Sequence, residues 1–245
     1  MITFALVTLV YNKEKHLNEC LNSVKRQSRN DFFHFIVNDG STDNSHQIIS
    51  EFSKSVGNVI YYNFPDNKGQ MPRYNYVLRK INKLYPNIKL MGHLDADDML
   101  VPSAINDMIK HFNKLKNTKV GHVSSYFSII NGEGAVKHAI GRSFPILSNR
   151  QEWKHAQAGN NLFGHFRVMR IDLLNKIGGF DESFKYATDY NMSCRMLDQY
   201  DVGVYPKVLY LWRQHGGQIE KHVGAEQTQC WKDLQKYYKK RWNIK

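Results

Sequence analysis

At 245 residues, with 42% hydrophobic and 23% charged side chains, the chain is long enough for one large α/β domain burying roughly 70 to 75% of its unfolded surface, or for two small ones. Its 34 Lys and Arg against 22 Asp and Glu leave a net charge of +12, which favours anionic partners such as nucleotide diphosphates or an acidic membrane surface. No zinc-finger, ribonucleoprotein or helix-turn-helix signature accompanies the charge, so nucleic acid is not an expected partner.

Cys20, Cys194 and Cys230 are odd in number and widely spaced, which excludes a disulfide framework and a Cys-based zinc site and fits a reducing compartment. The run from Ile2 to Tyr11 has no basic leader, and nowhere do 18 apolar residues run together. The expectation is a cytoplasmic chain, soluble or peripheral to the inner face of a membrane.

Strand and helix patterns alternate through the first half, the sign of a mostly parallel sheet with helices on its faces. Ile2 to Val10 reads as a strand, and Leu17, Cys20, Leu21 and Val24 then recur at helical spacing. Phe32 to Val37 and Val59 to Phe64 are further strands. They alternate with helices marked by Ile48, Ile49 and Phe52, and by Tyr74, Val77, Leu78 and Ile81. Ile88 to Leu94 is a short apolar strand, followed by a helix carrying Ile105, Met108, Ile109, Phe112 and Leu115. Val120 to Ile130 and Ala135 to Ile140 read as strands joined by a turn at Asn131-Gly132-Glu133-Gly134. Gly178-Gly179 breaks the chain before a helix over about Asp189 to Gln199. Two short strands, Val202 to Tyr205 and Val208 to Trp212, and a helix from Gln227 complete the chain. Residues 1–117 read as a nucleotide-sugar-binding half, 118–220 as an acceptor and catalytic half, and 221–245 as a basic aromatic helix, all within one domain.

In open sheets of this kind ligands bind beyond the carboxyl ends of the strands. Three polar clusters fall there: Tyr11-Asn12, Asn38-Asp39-Gly40-Ser41-Thr42-Asp43 and Asp95-Ala96-Asp97-Asp98. The second is also good turn chemistry, with Thr42 or Asp43 able to cap the next helix. The third crowds carboxylates. Two unit charges about 4 Å apart repel by roughly 4 kcal/mol at an effective dielectric of 20, so this loop needs a cation. Mg²⁺ or Mn²⁺, which takes one or two carboxylates and fills its shell with water and phosphate oxygens, suits Asp95 and Asp97. Asp98, ahead of Pro102, reads as a helix-entry cap. Neither a Gly-x-Gly-x-x-Gly fingerprint nor a P-loop occurs.

In order along the chain, Val10-Tyr11-Asn12, Asn38 to Asp43, Asn67-x-Gly69 with Arg73, Asp95-Ala96-Asp97-Asp98, Gly178-Gly179-Phe180-Asp181-Glu182, Asp189 with Arg195, and Arg213-x-His215 resemble the inverting GT-A glycosyltransferases of family two. The resemblance implies a Rossmann-like, mostly parallel central sheet with helices on both faces and a smaller acceptor-side subregion. It also implies transfer of a sugar from a nucleotide diphosphate, with UDP the expected nucleotide, to a saccharide, lipid-linked or protein acceptor. By the same likeness, Asp39 would take the base, Arg73 would lie near base or diphosphate, and Thr8, Tyr11 and Asn12 would join the nucleotide site. Asp95 would face ribose and metal, Asp97 would ligate the metal, and Arg213 and His215 would approach the diphosphate, with His215 as a further ligand. Asp189 would be the base. Leu9, Asn38, Tyr74 and Thr188 depart from the family's pattern, and Thr188 changes the charge beside the base. The same features would suit an inactive nucleotide-sugar or glycan-binding relative. A sugar nucleotidylyltransferase would need a Gly-rich basic loop where Tyr11-Asn12-Lys13-Glu14 stands. In the tail, Trp231, Leu234, Tyr238 and Trp242 recur at helical spacing among lysines, which suits either an interfacial membrane helix or a helix packed on the domain.

Overall fold

The computed structural model of the chain describes residues 3–142, 147–216 and 224–245. The expected strand start at Ile2 and the expected boundary at 220–221 lie outside them. Among the described residues one nine-stranded sheet runs through the molecule. Strands β1 (Phe4–Val10), β2 (Phe33–Asp39), β3 (Val59–Phe64) and β4 (Leu90–His93) are mutually parallel in the order β3-β2-β1-β4. Residues 4–8 are all fully buried, because a central parallel strand is covered on both faces; Phe4 to Val7 are apolar as that requires, and Thr8 is paired with His34. Helices α1 (Glu14–Lys25), α2 (Ser45–Ser55) and α3 (Gln70–Leu84) connect them. Each turns its apolar stripe inward, as with Leu17, Cys20, Leu21 and Val24 on α1.

The sheet continues past β4. Strand β8 (Val168–Arg170) pairs antiparallel with both β4 and β6 (Val120–Ile130), and β6 runs parallel to β9 (Asp201–Arg213). The short β5 (Met99–Leu100) edges β9, and β7 (Val136–Arg142) returns along β6. Where two strands were expected between Val202 and Trp212 there is one. It absorbs its interruption as a bulge, since Ser125 pairs Tyr205 and Tyr126 pairs Val208, leaving Pro206 and Lys207 outside the ladder. Pro206 has no N–H to give the ladder, so the bulge forms there.

Four further helices, α4 (Ala104–Lys114), α5 (Arg150–Gly159), α6 (Ile171–Lys176) and α7 (Thr188–Gln199), pack on the sheet, and α8 (Gly224–Arg241) closes the chain. Its Leu234 and Tyr238, with Trp242 just beyond, are buried in the main core. The Tyr238 hydroxyl donates to Asn191 Oδ1 at 3.0 Å and Trp242 Nε1 donates to Asp198 Oδ1 at 3.0 Å, both on α7. The apolar face that an interfacial helix would offer to lipid is therefore spent on the protein itself. Among the described residues no helix is long and apolar enough to cross a membrane.

Because the strand order reverses between β1 and β4, the loops after these two strands, residues 11–13 and 94–98, face each other across the switch point where such sheets bind ligands. The glycines near this edge serve close approach. A Cβ on Gly40 (φ +74°) would stand 2.6 Å from the backbone carbon of Asp66, and one on Gly179 (φ +75°) 2.7 Å from Asn75 Oδ1.

His34, His93 and His122 lie inside this core, and His165 is partly buried at its edge beside Asp95. Burial pulls His34, His122 and His165 down to about 3 and His93 well below its ordinary value, with Arg167 adding to the effect at the last three. A folded-state pKa below the unfolded one means that acid favours the unfolded chain. Stability is therefore fully present above pH 6.5 and is lost as the pH falls below it, by about 1.4 kcal/mol per imidazole at pH 5.5. The raised carboxyl of buried Asp98 acts in the opposite sense. His122, whose ring nitrogens have no partner among the described residues, isolates one such contribution. Urea unfolding of His122→Leu at pH 7.5 and 5.5 should show about 1.4 kcal/mol less acid-induced loss than the parent.

Candidate active site

The loops after β1 and β2 are laced together before any ligand arrives. The Asn12 N–H donates to Ser41 Oγ at 3.0 Å, and the Thr42 N–H donates to Asn12 Oδ1 at 2.8 Å. Of the two expected caps, Asp43 takes the part. Its Oδ1 accepts from the Ser45 N–H at 2.9 Å, and its Oδ2 accepts from the Glu14 N–H at 3.0 Å, so one carboxylate opens both α2 and α1. Asn12 holds a left-handed φ of 51° at this junction, a conformation Asn tolerates better than most residues. Tyr11 is half-exposed on the rim at 46%. Thr8, expected in the nucleotide site, is instead fully buried within β1, its Oγ1 2.9 Å from His34 Nε2.

Asp39, at the carboxyl end of β2, is buried and takes three donors: Arg73 Nε at 2.5 Å, the Lys68 N–H at 3.0 Å and the Gly69 N–H at 2.9 Å. Arg73 lies 3.6 Å over the Phe64 ring and also donates to the Asp66 carbonyl. The pair thus fixes residues 66–69 against the sheet edge, next to Gly40.

The acidic loop is held from below. Asp98 does not cap α4, which follows Ser103. It is 2% exposed, with Oδ1 accepting the Arg213 N–H at 2.7 Å and Oδ2 accepting from the Tyr210 hydroxyl at 2.7 Å. Burial, then the charges of Asp97 and Asp95, push its carboxyl well up. The reason is topological: β9 runs beneath the loop and supplies donors that a solvated turn would not have. Arg213 corrects a second expectation. Fully buried, its guanidinium donates to the Asp97 carbonyl at 2.8 Å, the Gly132 carbonyl at 2.8 Å and Glu19 Oε2 at 2.9 Å, facing inward and not toward a diphosphate.

Asp97 and Asp95 reach the open side. Asp97 Oδ2 lies 2.6 Å from Lys13 Nζ and 3.0 Å from His215 Nε2. Burial pushes Asp97 up, but the charge and hydrogen bond of Lys13, with help from His215, bring it net below its ordinary value. The His16 ring stands 4.7 Å from that of His215, and its Nε2 has no partner among the described residues. Asp95 Oδ2 is 3.7 Å from Arg167 and 3.8 Å from His165 Nδ1, an atom likewise unpartnered among the described residues. His165 stacks at 16° on both Tyr210 and Trp212. Among the described residues one set of three has its ligand atoms within 4.8 Å of one another, namely Asp95, Asp98 and His165, and Asp97 and His215 stand beside it, 3.0 Å apart. Oxygen donors supplemented by imidazole nitrogen fit Mn²⁺ or Mg²⁺, and the orphaned nitrogens of His16 and His165 mark places where polar partners are wanted.

Asp189 is the second residue of α7, reached through Ala187 in a left-handed φ of 50°. Its Oδ2 accepts from Asn161 Nδ2 at 3.0 Å and from Arg167 Nη1 at 3.4 Å, while the side chain stays 36% exposed. Arg167 therefore stands between Asp189 and Asp95. The structure brings Asp97 to His215, sets Asp95 and Asp189 on either side of Arg167, and pairs Asp39 with Arg73 at the end of β2. Lys13, Glu19, Asn161, His165, Arg167 and Tyr210 were not singled out from the sequence. Lys13 adjoins the Tyr11-Asn12 cluster and could have been; Asn161, His165 and Arg167 lie in an irregular segment with no periodic or motif signal.

Comparison with known proteins places this geometry. The family model described as glycosyl transferase family 2 matches residues 5–178. The teichoic acid poly(glycerol phosphate) polymerase of Staphylococcus epidermidis is 33% identical over 114 residues, 46% of this chain and 15% of that protein. Among solved structures, S. aureus TarS 1-349 in complex with UDP-GlcNAc superposes with a TM-score of 0.66 at 20% identity, covering 91% of this chain and 61% of that one. The mannosyltransferase PcManGT from Pyrobaculum calidifontis in complex with GDP-Man and Mn²⁺ superposes with a TM-score of 0.63 at 16% identity, covering 90% and 59%. The chain spans less than two thirds of each of these proteins. The likeness to the two structures shows the GT-A type of α/β fold expected from the sequence.

The inward Arg213 makes a prediction. Arg213→Met would leave the carbonyls of Asp97 and Gly132 without their donor, while half-exposed Glu19 would turn to water, so urea unfolding should show a loss of about 1 to 3 kcal/mol, the cost of unsatisfied buried hydrogen-bonding groups. An arginine serving only a diphosphate would leave stability of the ligand-free protein within about 0.5 kcal/mol.

Proposed function

The chain belongs to glycosyl transferase family 2, and from that membership we propose that it moves a single sugar from a nucleotide diphosphate, UDP, to an acceptor hydroxyl on a glycan, lipid-linked saccharide or protein, with inversion and with Mn²⁺ or Mg²⁺. The observation that carries this reading is Arg167, which stands 3.4 Å from Asp189 and 3.7 Å from Asp95 and so joins the carboxylate suited to a base with the acidic loop suited to a donor diphosphate. The UDP-GlcNAc bound by the TarS structure supports the choice of nucleotide, and the Mn²⁺ in the mannosyltransferase complex supports the choice of ion.

Asp95, Asp97 and His215 would hold the ion, which supplies positive charge against the departing diphosphate. Asp98, in the set with Asp95 and His165, is the poorer ligand, because both its oxygens already accept hydrogen bonds inside the protein. Asp39 would take a ring N–H of the base with Oδ2, which accepts only the Gly69 N–H in the protein, while Oδ1 stays with Arg73 and Lys68. Tyr11 and Asn12 flank that place on the rim.

Inversion needs the acceptor oxygen to approach the anomeric carbon from the side opposite the leaving group, and to lose its proton as it bonds. Asp189 suits this task. With Oδ2 fixed by Asn161 and Arg167, Oδ1 is left to take the acceptor proton, and a carboxylate in the first turn of α7 is favoured in its ionised form by the helix dipole.

Two outcomes follow. Binding of UDP, followed by calorimetry, should need a divalent ion and collapse in Asp97→Ala, since a diphosphate beside uncompensated carboxylates meets repulsion; undiminished affinity in excess EDTA would overturn the metal assignment. Asp189→Asn, which keeps the bonds to neighbours sterically available, should lower kcat for UDP release from a UDP-sugar by 10²-fold or more, with donor binding intact. Retention of more than about a tenth of parental kcat would remove Asp189 from the role of base.

A further inference from the structure

Lys13 occupies the coordinating oxygen. Its Nζ sits 2.6 Å from Asp97 Oδ2, the same oxygen that His215 Nε2 approaches at 3.0 Å. A divalent ion bonds a carboxylate oxygen at about 2.0 to 2.2 Å, so an ion on Asp97 Oδ2 and the ammonium in its present position would be two cations in contact. One must leave. The loop that carries Asp97 cannot move, because the Asp97 carbonyl is held by Arg213 Nε at 2.8 Å and Arg213 is itself buried and tied to Glu19 and Gly132. Lys13 can. Its backbone is fixed at the mouth of α1 by the bond from its N–H to Ser45 Oγ at 3.0 Å, but its side chain is 20% exposed and ends a flexible four-carbon stem.

We propose that Lys13 is a resident cation that closes Asp97 to metal in the ligand-free protein, and that a nucleoside diphosphate draws the ammonium off, so that the ion enters with the nucleotide or after it. The diphosphate is the group suited to do this, since it offers the ammonium negative oxygens at the switch point between β1 and β4 where Lys13 and Asp97 meet. Lys13 would then neutralise the acidic loop before the donor binds and the donor once it has bound. The inference rests on the reading of Asp97 as a metal ligand.

The test is a titration with Mn²⁺ alone, free ion being read by its electron paramagnetic resonance signal, on the parent, Lys13→Met, Lys13→Arg and the double variant Lys13→Met with Asp97→Ala. Without nucleotide, Lys13→Met should bind Mn²⁺ at least about tenfold more tightly than the parent, equivalent to about 1.4 kcal/mol, while Lys13→Arg should follow the parent. UDP affinity should fall in Lys13→Met while uridine affinity does not. Equal or weaker Mn²⁺ binding by Lys13→Met overturns the proposal. The double variant separates this failure from failure of the underlying site. If it binds Mn²⁺ as tightly as Lys13→Met, the ion is not on Asp97 and both fall; if it loses the ion while Lys13→Met equals the parent, only the role of Lys13 falls.

Discussion

The compensation of negative charge at the end of β4 is the constraint on which the rest of the site depends. Asp95, Asp97 and Asp98 share one tight loop, and at an effective dielectric of 20 each close pair costs on the order of 4 kcal/mol if nothing answers it. The answers come from far along the chain: Lys13 from the entry to α1, Tyr210 and Arg213 from β9, His215 beyond it, and Arg167 from the approach to β8. They divide the labour. Asp98 is neutralised downward into the core by fixed hydrogen bonds, which leaves Asp95 and Asp97 turned to the open edge. A buried carboxyl with raised pKa thus serves as the footing for two that remain available to a ligand.

Much of this was legible in the residues, for physical reasons that differ from element to element. The stripes on α1, α3 and α4 could be read because a helix must bury one face, and the unbroken apolar run of β1 because a central parallel strand must bury two. Asp95, Asp97 and His215 could be grouped from their order in a family pattern, and the structure does bring Asp97 and His215 to 3.0 Å. Arg213 could not be assigned correctly, since the pattern gives its place in the chain but not which way its side chain turns, and the pull of Glu19 and the turn carbonyls comes from residues remote in sequence. Thr8 is buried for a related reason: β1 is covered on both faces, so no side chain in its middle reaches the edge, and this hydroxyl lies against His34 of the neighbouring strand. The tail was ambiguous at root, because an aromatic face at helical spacing is the same pattern whether it meets lipid or α7, and only the bonds from Tyr238 and Trp242 decide.

Arg167, Asn161 and His165 show where reading along a chain stops. None sits in a repeat, a motif or a charged cluster, yet together they orient Asp189, flank Asp95 and line the aromatic stack with Tyr210 and Trp212. Their common property is position just before β8, the antiparallel strand inserted between β4 and β6. That insertion delivers an irregular segment to the carboxyl edge of a mostly parallel sheet. Side chains there are chosen by what they meet in space, so no local periodicity records them.

The place of β9 has a bearing on how the molecule comes into being during synthesis. It lies between β6 and β5 in the sheet although it is the last strand among the described residues, and it carries Tyr210 and Arg213, whose partners Asp98 and Glu19 are made long before them. Until it arrives, the acidic loop has no floor and β6 has an open edge, with pairings of such sequence separation being slow to form. The floor of the acidic loop is thus assembled from partners more than a hundred residues apart, and until β9 docks the uncovered edge of β6 is a surface open to wrong pairing.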